Sequence, residues 1–228
     1  MYTRSAPETI RSCFADIAAD YDKANAINSL GLHHLWNQKL IKSMGCGTKL
    51  LDLCAGTGEI ALRYCKTYPN VDATLLDFCP EMLEIAKAKL PNIKTLCADV
   101  QKIPLPDKSF DAITIAYGIR NVENRSLCFQ EVRRLLTSKG HFGILELTRP
   151  KSFLLKQPHK LYTKAILPLI GKILSGNADA YRYLASSIQN FTTPHALCDE
   201  LIKAGLIPIK TISLFGGIAS IIIACPSS

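Results

Sequence analysis

Short apolar runs alternate with segments of helical periodicity through the middle of the chain. The apolar runs predict strands at 48–54, 71–77, 93–97, 110–117 and 140–147. Apolar positions at helical spacing predict helices at 58–67, 80–90 and 124–137. Strands that alternate with helices favour right-handed crossover units, so this region is predicted to be an α/β fold with a parallel sheet.

The two ends of the chain follow other patterns. Helical periodicity precedes the first strand, at 10–20 and 32–44, and a helical insertion is predicted at about 151–191. A helix at 194–204 and strands at 206–214 and 217–225 follow it, and Phe215-Gly216-Gly217 predicts that the last two form an antiparallel hairpin. We therefore expect one domain, 1–228, with an N-terminal helical lid (1–45), an α/β core (46–150), a helical insertion (151–193) and a C-terminal helix and hairpin (194–228).

Capping residues mark the ends of two predicted helices. Pro80 and Glu81 suit the first turn of the helix at 80–90, because proline is tolerated there and an acid complements the helix dipole. Asn124 is expected to cap the helix that follows it, and Lys139-Gly140 is expected to end that helix.

Composition adds limits on compartment and partners. At 228 residues and 48% hydrophobic content, the chain is long enough for one domain with a sizeable core. Nine cysteines without a C-x-x-C pair indicate reduced thiols rather than a disulfide framework or a metal site. The sequence has no signal-peptide pattern and no apolar run of the roughly 20 residues that a membrane-spanning helix needs. A net charge of +8 indicates attraction to anionic surfaces, either lipid or nucleic acid.

The most informative local pattern is a strand that ends in glycines. The run from Leu50 to Leu53 leads into Gly56-x-Gly58, and a second apolar run ends at Asp77. Glycines without a Cβ let the backbone touch a ligand, and an acid at the tip of the next strand can accept hydrogen bonds from both ribose hydroxyls. The pattern predicts a nucleoside site at the carboxyl edge of the sheet, although a generic strand-to-helix turn would look similar.

The glycine spacing favours a cationic nucleoside. A dinucleotide fingerprint requires Gly-x-Gly-x-x-Gly, whereas this chain reads Asp52-x-Cys54-x-Gly56-x-Gly58. Glu59 stands where a phosphate would lie, and a carboxylate there repels an anion. S-adenosyl-L-methionine, which carries a sulfonium and an ammonium, fits this pattern better than a nicotinamide cofactor does.

Further candidates for this site follow the strands of the predicted sheet, since ligands of open α/β sheets bind outside the carboxyl ends of strands. Thr57 offers a hydroxyl and an amide at the glycine turn. Asp99 and Val100 are placed for an adenine ring, with a simple turn before Pro104 as the alternative for Asp99. Ala116 and Tyr117 end the fourth strand, beneath the expected sulfonium.

Catalytic candidates occur after the fourth strand and in the N-terminal segment. Arg120 and Asn121 follow Gly118, where substrate and methyl donor should meet, and Arg120 could hold a developing oxyanion or orient an acid. A surface ion pair and a turn cap are the alternatives for these two residues. Tyr21 and His33 lie in the predicted lid, and a structural histidine is the alternative for His33.

Several groups of residues resemble the ubiquinone/menaquinone biosynthesis C-methyltransferase family, over about residues 12–219. They are Tyr21-Asp22 with Asn25 and Asn28, Ser29-x-Gly31-x-His33-x-Leu35-Trp36, Leu51-Asp52 with Gly56-Thr57-Gly58, Gly118-Ile119-Arg120-Asn121-Val122, Leu145-Glu146, and Tyr181-x-Tyr183-Leu184-x-x-Ser187-Ile188. The chain departs from the family pattern at Cys54, where most members have glycine, at Glu59, usually aspartate, at Thr137-Ser138-Lys139-Gly140 and at Ile221–Cys225.

The resemblance implies a Rossmann-like class I methyltransferase fold, with a mostly parallel seven-stranded sheet and a C-terminal antiparallel hairpin. It implies transfer of a methyl group from S-adenosyl-L-methionine to a ring carbon of a prenylated hydroquinone. Demethylmenaquinol is the preferred substrate and the benzoquinol of ubiquinone biosynthesis is the alternative. The donor would be held by Asp52, Gly56, Thr57, Gly58, Asp77, Asp99, Val100, Ala116 and Tyr117. The catalytic candidates are Arg120, Asn121, Tyr21 and His33, and no metal ion is implied. The base remains open between His33, Tyr21 and a water on Arg120 and Asn121.

A polyprenyl substrate resides in the membrane, which bears on partners and location. Apolar residues interleaved with lysines between Leu154 and Leu174 suit an interfacial helix on anionic lipid, or else packing on the core or a homodimer face. Without an acid-poor presequence, a bacterial cytoplasm is expected, with peripheral contact at the cytoplasmic face of the membrane. Nucleic acid is not an expected partner, since no appended RNA-binding segment or Asn-Pro-Pro-Tyr motif is present. An RNA methyltransferase and a non-catalytic donor-binding scaffold are the remaining alternatives.

Overall fold

The computed structural model describes residues 21–29, 31–149 and 178–227, together with single residues at 11, 12, 15, 18, 157 and 161. The helices are α1 (Tyr21–Asn28), α2 (Leu32–Met44), α3 (Glu59–Thr67), α4 (Pro80–Lys89), α5 (Arg125–Leu135), α6 (Ala178–Asn190) and α7 (Pro194–Lys203). The strands are β1 (Lys49–Leu53), β2 (Asp72–Asp77), β3 (Lys94–Cys97), β4 (Phe110–Ala116), β5 (Leu136–Leu147), β6 (Leu206–Leu214) and β7 (Ala219–Pro226). Short 3₁₀ turns occur at Ile119–Asn121 and Phe215–Gly217.

The strands of the described chain form one sheet in the order β3-β2-β1-β4-β5-β7-β6. The first five strands pair in parallel, whereas β7 is antiparallel to both β5 and β6. This confirms the predicted parallel sheet with a C-terminal antiparallel hairpin. The strand order reverses between β1 and β4, and in open α/β sheets such a reversal opens a crevice at the carboxyl ends of the strands.

Helices cover both faces of the sheet, which explains why β1 is buried at every position after Lys49 and is apolar at three of those four positions. Leu51 and Leu53 belong to a core cluster that includes Phe129 of α5, whereas Leu50 belongs to the cluster on the opposite face with Leu40 of α2. Successive strand residues point to opposite faces, so a strand buried on both sides needs a continuous apolar run. Parallel pairing with β4 places the carboxyl end of β1 beside that of β4.

The end of α5 corrects one prediction. Asn124 does cap the helix, since its Oδ1 accepts a hydrogen bond from the Leu127 amide at 3.2 Å. Lys139-Gly140 does not end it, because the helix ends at Leu135 and β5 begins at Leu136. Leu136 has extended backbone angles and pairs with Phe110 of β4. Pairing with a neighbouring strand therefore decided this boundary, and local sequence signals could not reveal it.

The N-terminal segment holds a helix that the sequence did not predict. Periodicity indicated a helix at 10–20, which lies mostly outside the described residues, whereas α1 occupies Tyr21–Asn28. The asparagines in this stretch have low helix propensity, so periodicity and composition gave no helical signal. Tertiary contacts stabilise α1: Asp22 accepts a hydrogen bond from Thr57 Oγ1 at 2.6 Å and pairs with Lys89 of α4.

Of the predicted insertion (151–193), the structure describes residues 178–193 and two single residues, so the expected membrane-binding segment at 154–174 lies almost wholly outside the described residues. No helix among the described residues is long and apolar enough to cross a membrane. Every cysteine in the described part of the chain is a free thiol.

Candidate active site

A cavity of about 310 Å³ opens at the carboxyl ends of β1 and β4. Helices α1 and α2, the glycine turn after β1 and the end of β4 form its walls. The predicted site residues that line it are Tyr21, His33, Asp52, Gly56, Thr57, Ala116 and Tyr117. The tertiary fold thus brings predicted donor-binding and catalytic residues from four segments of the chain to one cavity.

The glycine turn exposes backbone to this cavity at one glycine and packs tightly at the other. Gly56 has a φ of 53°, and a Cβ built on it would point toward the Tyr21 ring, 4.0 Å away. Gly58 has a φ of 78°, and a Cβ there would lie 3.2 Å from the Ala86 Cβ of α4. Gly56 therefore presents the ligand-facing backbone, whereas Gly58 lies outside the cavity lining and lets α3 begin close to α4.

Asp77 supports the glycine turn from the end of β2. Its Oδ2 accepts a hydrogen bond from the Gly56 amide at 2.8 Å, and its Oδ1 accepts one from the Cys79 amide at 2.9 Å. Burial raises the pKa of this carboxyl, and the backbone of Cys79, Gly56 and Phe78 partly opposes that rise. Asp77 is outside the lining of the cavity, but each of its oxygens retains capacity for a second hydrogen bond.

The residues predicted to contact adenine also lie outside the cavity lining. Asp99 is exposed two residues beyond the end of β3, where it accepts hydrogen bonds from the backbone and side chain of Gln101. Val100 is buried in the core cluster beneath β4. Their predicted contacts with adenine therefore stay predictions.

Asp52 carries an uncompensated oxygen at the floor of the cavity. Asp52 is 1% exposed, and its Oδ1 accepts a hydrogen bond from Thr114 Oγ1 at 2.7 Å. Its Oδ2 is buried and has no hydrogen-bond partner among the residues that the structure describes. Burial raises the pKa of Asp52 to about 7, and the hydrogen bond from Thr114 partly opposes that rise, as does the Ala61 backbone, which approaches Asp52 without the geometry of a hydrogen bond. Because a buried carboxylate oxygen is costly without a partner, this site is suited to a ligand that brings a positive charge.

Tyr117 links the end of β4 to α2 in a strained conformation. Its φ is 58°, which is rare for an aromatic residue, and its hydroxyl donates to Asn37 Oδ1 at 2.9 Å. Sequence reasoning missed Asn37, which also lines the cavity. The available signal was its position one helical turn after His33, on the same face of α2.

Arg120 forms a buried ion pair rather than a surface one. Its Nη1 lies 2.5 Å from Glu146 Oε1, and its Nε donates to Ser187 Oγ at 3.2 Å. Although burial disfavours its charge, Glu146 keeps the pKa of Arg120 above its usual value. Arg120 does not line the cavity, but its charge reaches Tyr21, whose pKa burial raises and Arg120 partly lowers.

Helix α6 contacts the turn that carries the catalytic candidates. Ser187 bonds Arg120, and the Tyr183 hydroxyl donates to Asn121 Oδ1 at 3.1 Å. The side chain of Asn121 therefore contacts α6, whereas a turn cap was the alternative that the sequence left open.

His33 reaches the cavity from α2. Its Nδ1 lies 2.6 Å from Ser29 Oγ, and burial lowers the pKa of its imidazole.

Cys54 occupies space that Gly118 leaves free. Cys54 has a φ of 51°, and a Cβ built on Gly118 would lie 2.5 Å from the Cys54 Cβ and 2.9 Å from its Sγ. The φ of Gly118 is −106°, which alanine adopts without strain, so an alanine there would clash only through its side chain.

We expect Gly118→Ala to lower the free energy of unfolding by about 1–3 kcal/mol through overpacking. In a Cys54→Gly background the same change should cost clearly less, because the opposing side chain is gone. Urea denaturation of the two single variants and the double variant measures this coupling. An equal cost of Gly118→Ala in both backgrounds would contradict the steric explanation.

Comparison with known proteins identifies the family of this chain. A sequence model of the ubiE/COQ5 methyltransferase family matches residues 2–225. A demethylmenaquinone methyltransferase from Chlamydia pneumoniae is 44% identical over 214 residues, which are 92% of this chain and 93% of the relative. One from Protochlamydia amoebophila is 44% identical over 233 residues, covering 97% of this chain and 96% of the relative.

Solved structures show the same fold at low sequence identity. A methyltransferase from Haloferax volcanii, in complex with the Trm112 activator, has a TM-score of 0.69 at 16% identity and covers 94% of this chain and 98% of its own. An S-adenosylmethionine-dependent methyltransferase from Thermotoga maritima has a TM-score of 0.69 at 18% identity and covers 95% of this chain and 99% of its own. These similarities confirm the predicted class I methyltransferase fold, and the match to the family model and to the 44% identical relatives shows that the chain belongs to the ubiE/COQ5 methyltransferase family.

Proposed function

We propose that this methyltransferase transfers a methyl group from S-adenosyl-L-methionine to the ring of demethylmenaquinol, forming menaquinol. Family membership confirms the predicted enzyme class and methyl donor, and the names of its relatives support the quinol substrate. The observation that carries the proposal is the buried Asp52 Oδ2, which no described residue hydrogen-bonds, in a cavity that Tyr21, His33 and Tyr117 also line. A carboxylate beside aromatic walls suits a cationic donor next to an aromatic acceptor.

The chain's residues fit the donor at several points. The Gly56 backbone and Thr57 border the cavity, Asp52 would face a positive charge, and Asp77 would take the ribose hydroxyls. Asp99 and Val100 would contact the adenine, with Ala116 and Tyr117 near the sulfur. When bound, the donor supplies an electrophilic methyl group on a sulfonium. The residues of the site hold it in line with the acceptor carbon, and such alignment is worth about 7–11 kcal/mol of a barrier.

The acceptor ring is activated by loss of a phenolic proton. The positive charge of Arg120 favours a phenolate nearby, while Glu146 keeps the guanidinium in place. Asn121, held by Tyr183, and the neutral Tyr21 hydroxyl complete this side of the proposed site. In this proposal α1 and α2 act as a lid that excludes water, with Asp22 joining α1 to Thr57 of the glycine turn.

An assay with labelled methyl donor tests the proposal. Purified protein is incubated with the donor and reduced demethylmenaquinone, and in parallel with the corresponding demethylated benzoquinol, and the products are identified by mass spectrometry. We expect one methyl group on the naphthoquinol ring. Methylation of the benzoquinol alone would identify the ubiquinone precursor as the substrate. No methylation of either quinol would contradict the proposed function.

Membrane contact and self-association remain predictions. A prenylated substrate has to be taken from the membrane, so we expect the chain to work peripherally at its cytoplasmic face, through the lysine-containing segment at 154–174 or a homodimer face there. Flotation with vesicles of anionic and of neutral lipid distinguishes membrane contact from a homodimer face. An interfacial basic helix is expected to bind the anionic vesicles alone, whereas a homodimer face is expected to bind neither.

A further inference from the structure

The hydrogen bonds around His33 determine which of its ring nitrogens carries a proton. Ser29 Oγ lies 2.7 Å from the Asn25 carbonyl oxygen and 2.6 Å from His33 Nδ1. The carbonyl can only accept, so the single hydroxyl hydrogen of Ser29 goes to Asn25. Both contacts are satisfied together only when Nδ1–H donates to Ser29 Oγ. Neutral His33 therefore keeps its lone pair on Nε2.

The surroundings of His33 keep the imidazole neutral in the resting site. The residue is 8% exposed and lines the cavity, and burial lowers its pKa. The neighbouring His34, whose ring centroid is 3.8 Å away, and Arg63 lower it further, whereas Glu59 and Asp22 oppose them. A neutral imidazole with a free lone pair is a proton acceptor at neutral pH.

The other candidates for the base are less suited to accept a proton. Burial raises the pKa of Tyr21 and of Tyr117, so both phenols stay protonated and act as donors. Arg120 is permanently charged, and Glu146 already accepts from Arg120 and from the Leu147 amide. Asp52 lies at the donor end of the cavity, where its charge is needed against the cation.

We propose that His33 Nε2 is the base that takes the phenolic proton of the quinol, and that Ser29 is a positioning residue that holds the imidazole through Nδ1. This inference rests on the proposed function of the same cavity. Sequence alone left the base open between His33, Tyr21 and a water on Arg120 and Asn121, and the Asn25–Ser29–His33 chain of hydrogen bonds distinguishes His33 from the others.

The proton transfer balances with the methylation. The phenolic O–H bond breaks, the proton goes to Nε2, and the electron pair stays on oxygen and makes the ortho carbon nucleophilic. A bond forms between that carbon and the methyl group, and the electrons of the broken S–C bond remain on sulfur. The ring carbon then loses its hydrogen as a proton, and the imidazolium returns its proton to the phenolate oxygen. One proton is released overall.

Kinetics of His33→Gln against pH test the assignment. We expect kcat to fall about 10²–10⁴-fold, the loss typical of a missing general base, while the donor Kd from calorimetry changes less than three-fold. Measured for the quinol at saturating donor, where the ionisation of Asp52 no longer limits donor binding, the acidic limb of kcat/KM against pH reports protonation of the base and should disappear. His195→Gln, on the exposed face of α7, is the matched histidine control and should keep both kcat and the acidic limb.

Ser29 variants give a second readout. Ser29→Ala removes the acceptor that stabilises the imidazolium, so the acidic limb should move to lower pH and kcat should fall about ten-fold, whereas Ser29→Thr should restore both. An unchanged acidic limb in His33→Gln, with wild-type protein active on the quinol, would overturn the assignment alone. Inactive wild-type protein would instead contradict the proposed function.

Discussion

Glu146→Gln should lower the free energy of unfolding by about 3–5 kcal/mol, because it leaves the Arg120 guanidinium buried without a counter-charge. The two side chains are 4% and 1% exposed and lie 2.5 Å apart. Glu146 Oε2 also accepts from the Arg120 amide at 3.2 Å, so the carboxylate orients both the backbone and the side chain of the turn. Burial raises the pKa of Glu146, and the charge of Arg120 opposes that rise.

Replacing both members of the pair provides the control. Arg120→Met with Glu146→Leu removes both buried charges, so its stability in urea should approach or exceed that of the wild type, as is common when buried ion pairs become apolar. The double variant should nevertheless be inactive, since it lacks the guanidinium. If Glu146→Gln were as stable as the wild type, or the double variant less stable than the single one, the pair would not have the energetic role described here.

Asp52→Asn should weaken donor binding by about 10–100-fold, the loss expected when a charge-assisted contact in a buried site is removed. In wild-type protein, affinity should rise as the pH rises through about 7, because Asp52 must ionise to face the cation. Binding below this pH should release a proton. The variant should lose this part of the pH dependence, which calorimetry in buffers of different ionisation enthalpy can measure.

The same substitution should stabilise the ligand-free protein. The pKa of Asp52 is raised to about 7 in the fold, against roughly 3.9 in an unfolded chain. Between these values the folded state binds more protons than the unfolded state, so this carboxyl lowers stability as the pH rises. At pH 7, Asp52→Asn should therefore gain up to about 4 kcal/mol over the wild type, and little at pH 4.

Asp72→Asn is the matched control for these experiments. Asp72 is an exposed carboxylate at the start of β2, paired with Lys94 on the neighbouring strand. Exposed ion pairs contribute little to the free energy of unfolding, so the change should shift stability by less than about 1 kcal/mol. It should leave donor affinity unaltered. Wild-type donor affinity in Asp52→Asn at pH 8, with unaltered stability at pH 7, would contradict a charged role for Asp52.

The predictions that succeeded depend on local patterns. Runs such as Leu50–Leu53, apolar except at Asp52, have to be buried on both faces, and their alternation with helices leaves few topologies other than a parallel sheet. Gly56 and Gly58 adopt the positive φ angles that only small residues tolerate easily, so the turn could be placed from sequence. Such constraints act within a few residues of chain, where sequence patterns are informative.

The remaining features depend on residues far apart in the chain. Glu146 was visible in the sequence, but its pairing with Arg120, 26 residues away, depends on β4 and β5 lying side by side. The contact between Tyr117 and Asn37 spans 80 residues and needs α2 to cross the end of the sheet. Both were outside the reach of periodicity and spacing.

Residue patterns alone were enough to predict the sheet, the glycine turn and the chemistry available to the site. Hydrophobic periodicity and backbone conformational preference are local, and they act whatever the rest of the chain does. The pairing of charges, the Asp52 oxygen that lacks a partner among the described residues and the His33 nitrogen that carries the proton all depend on tertiary packing, because burial and hydrogen bonding involve every element around a side chain.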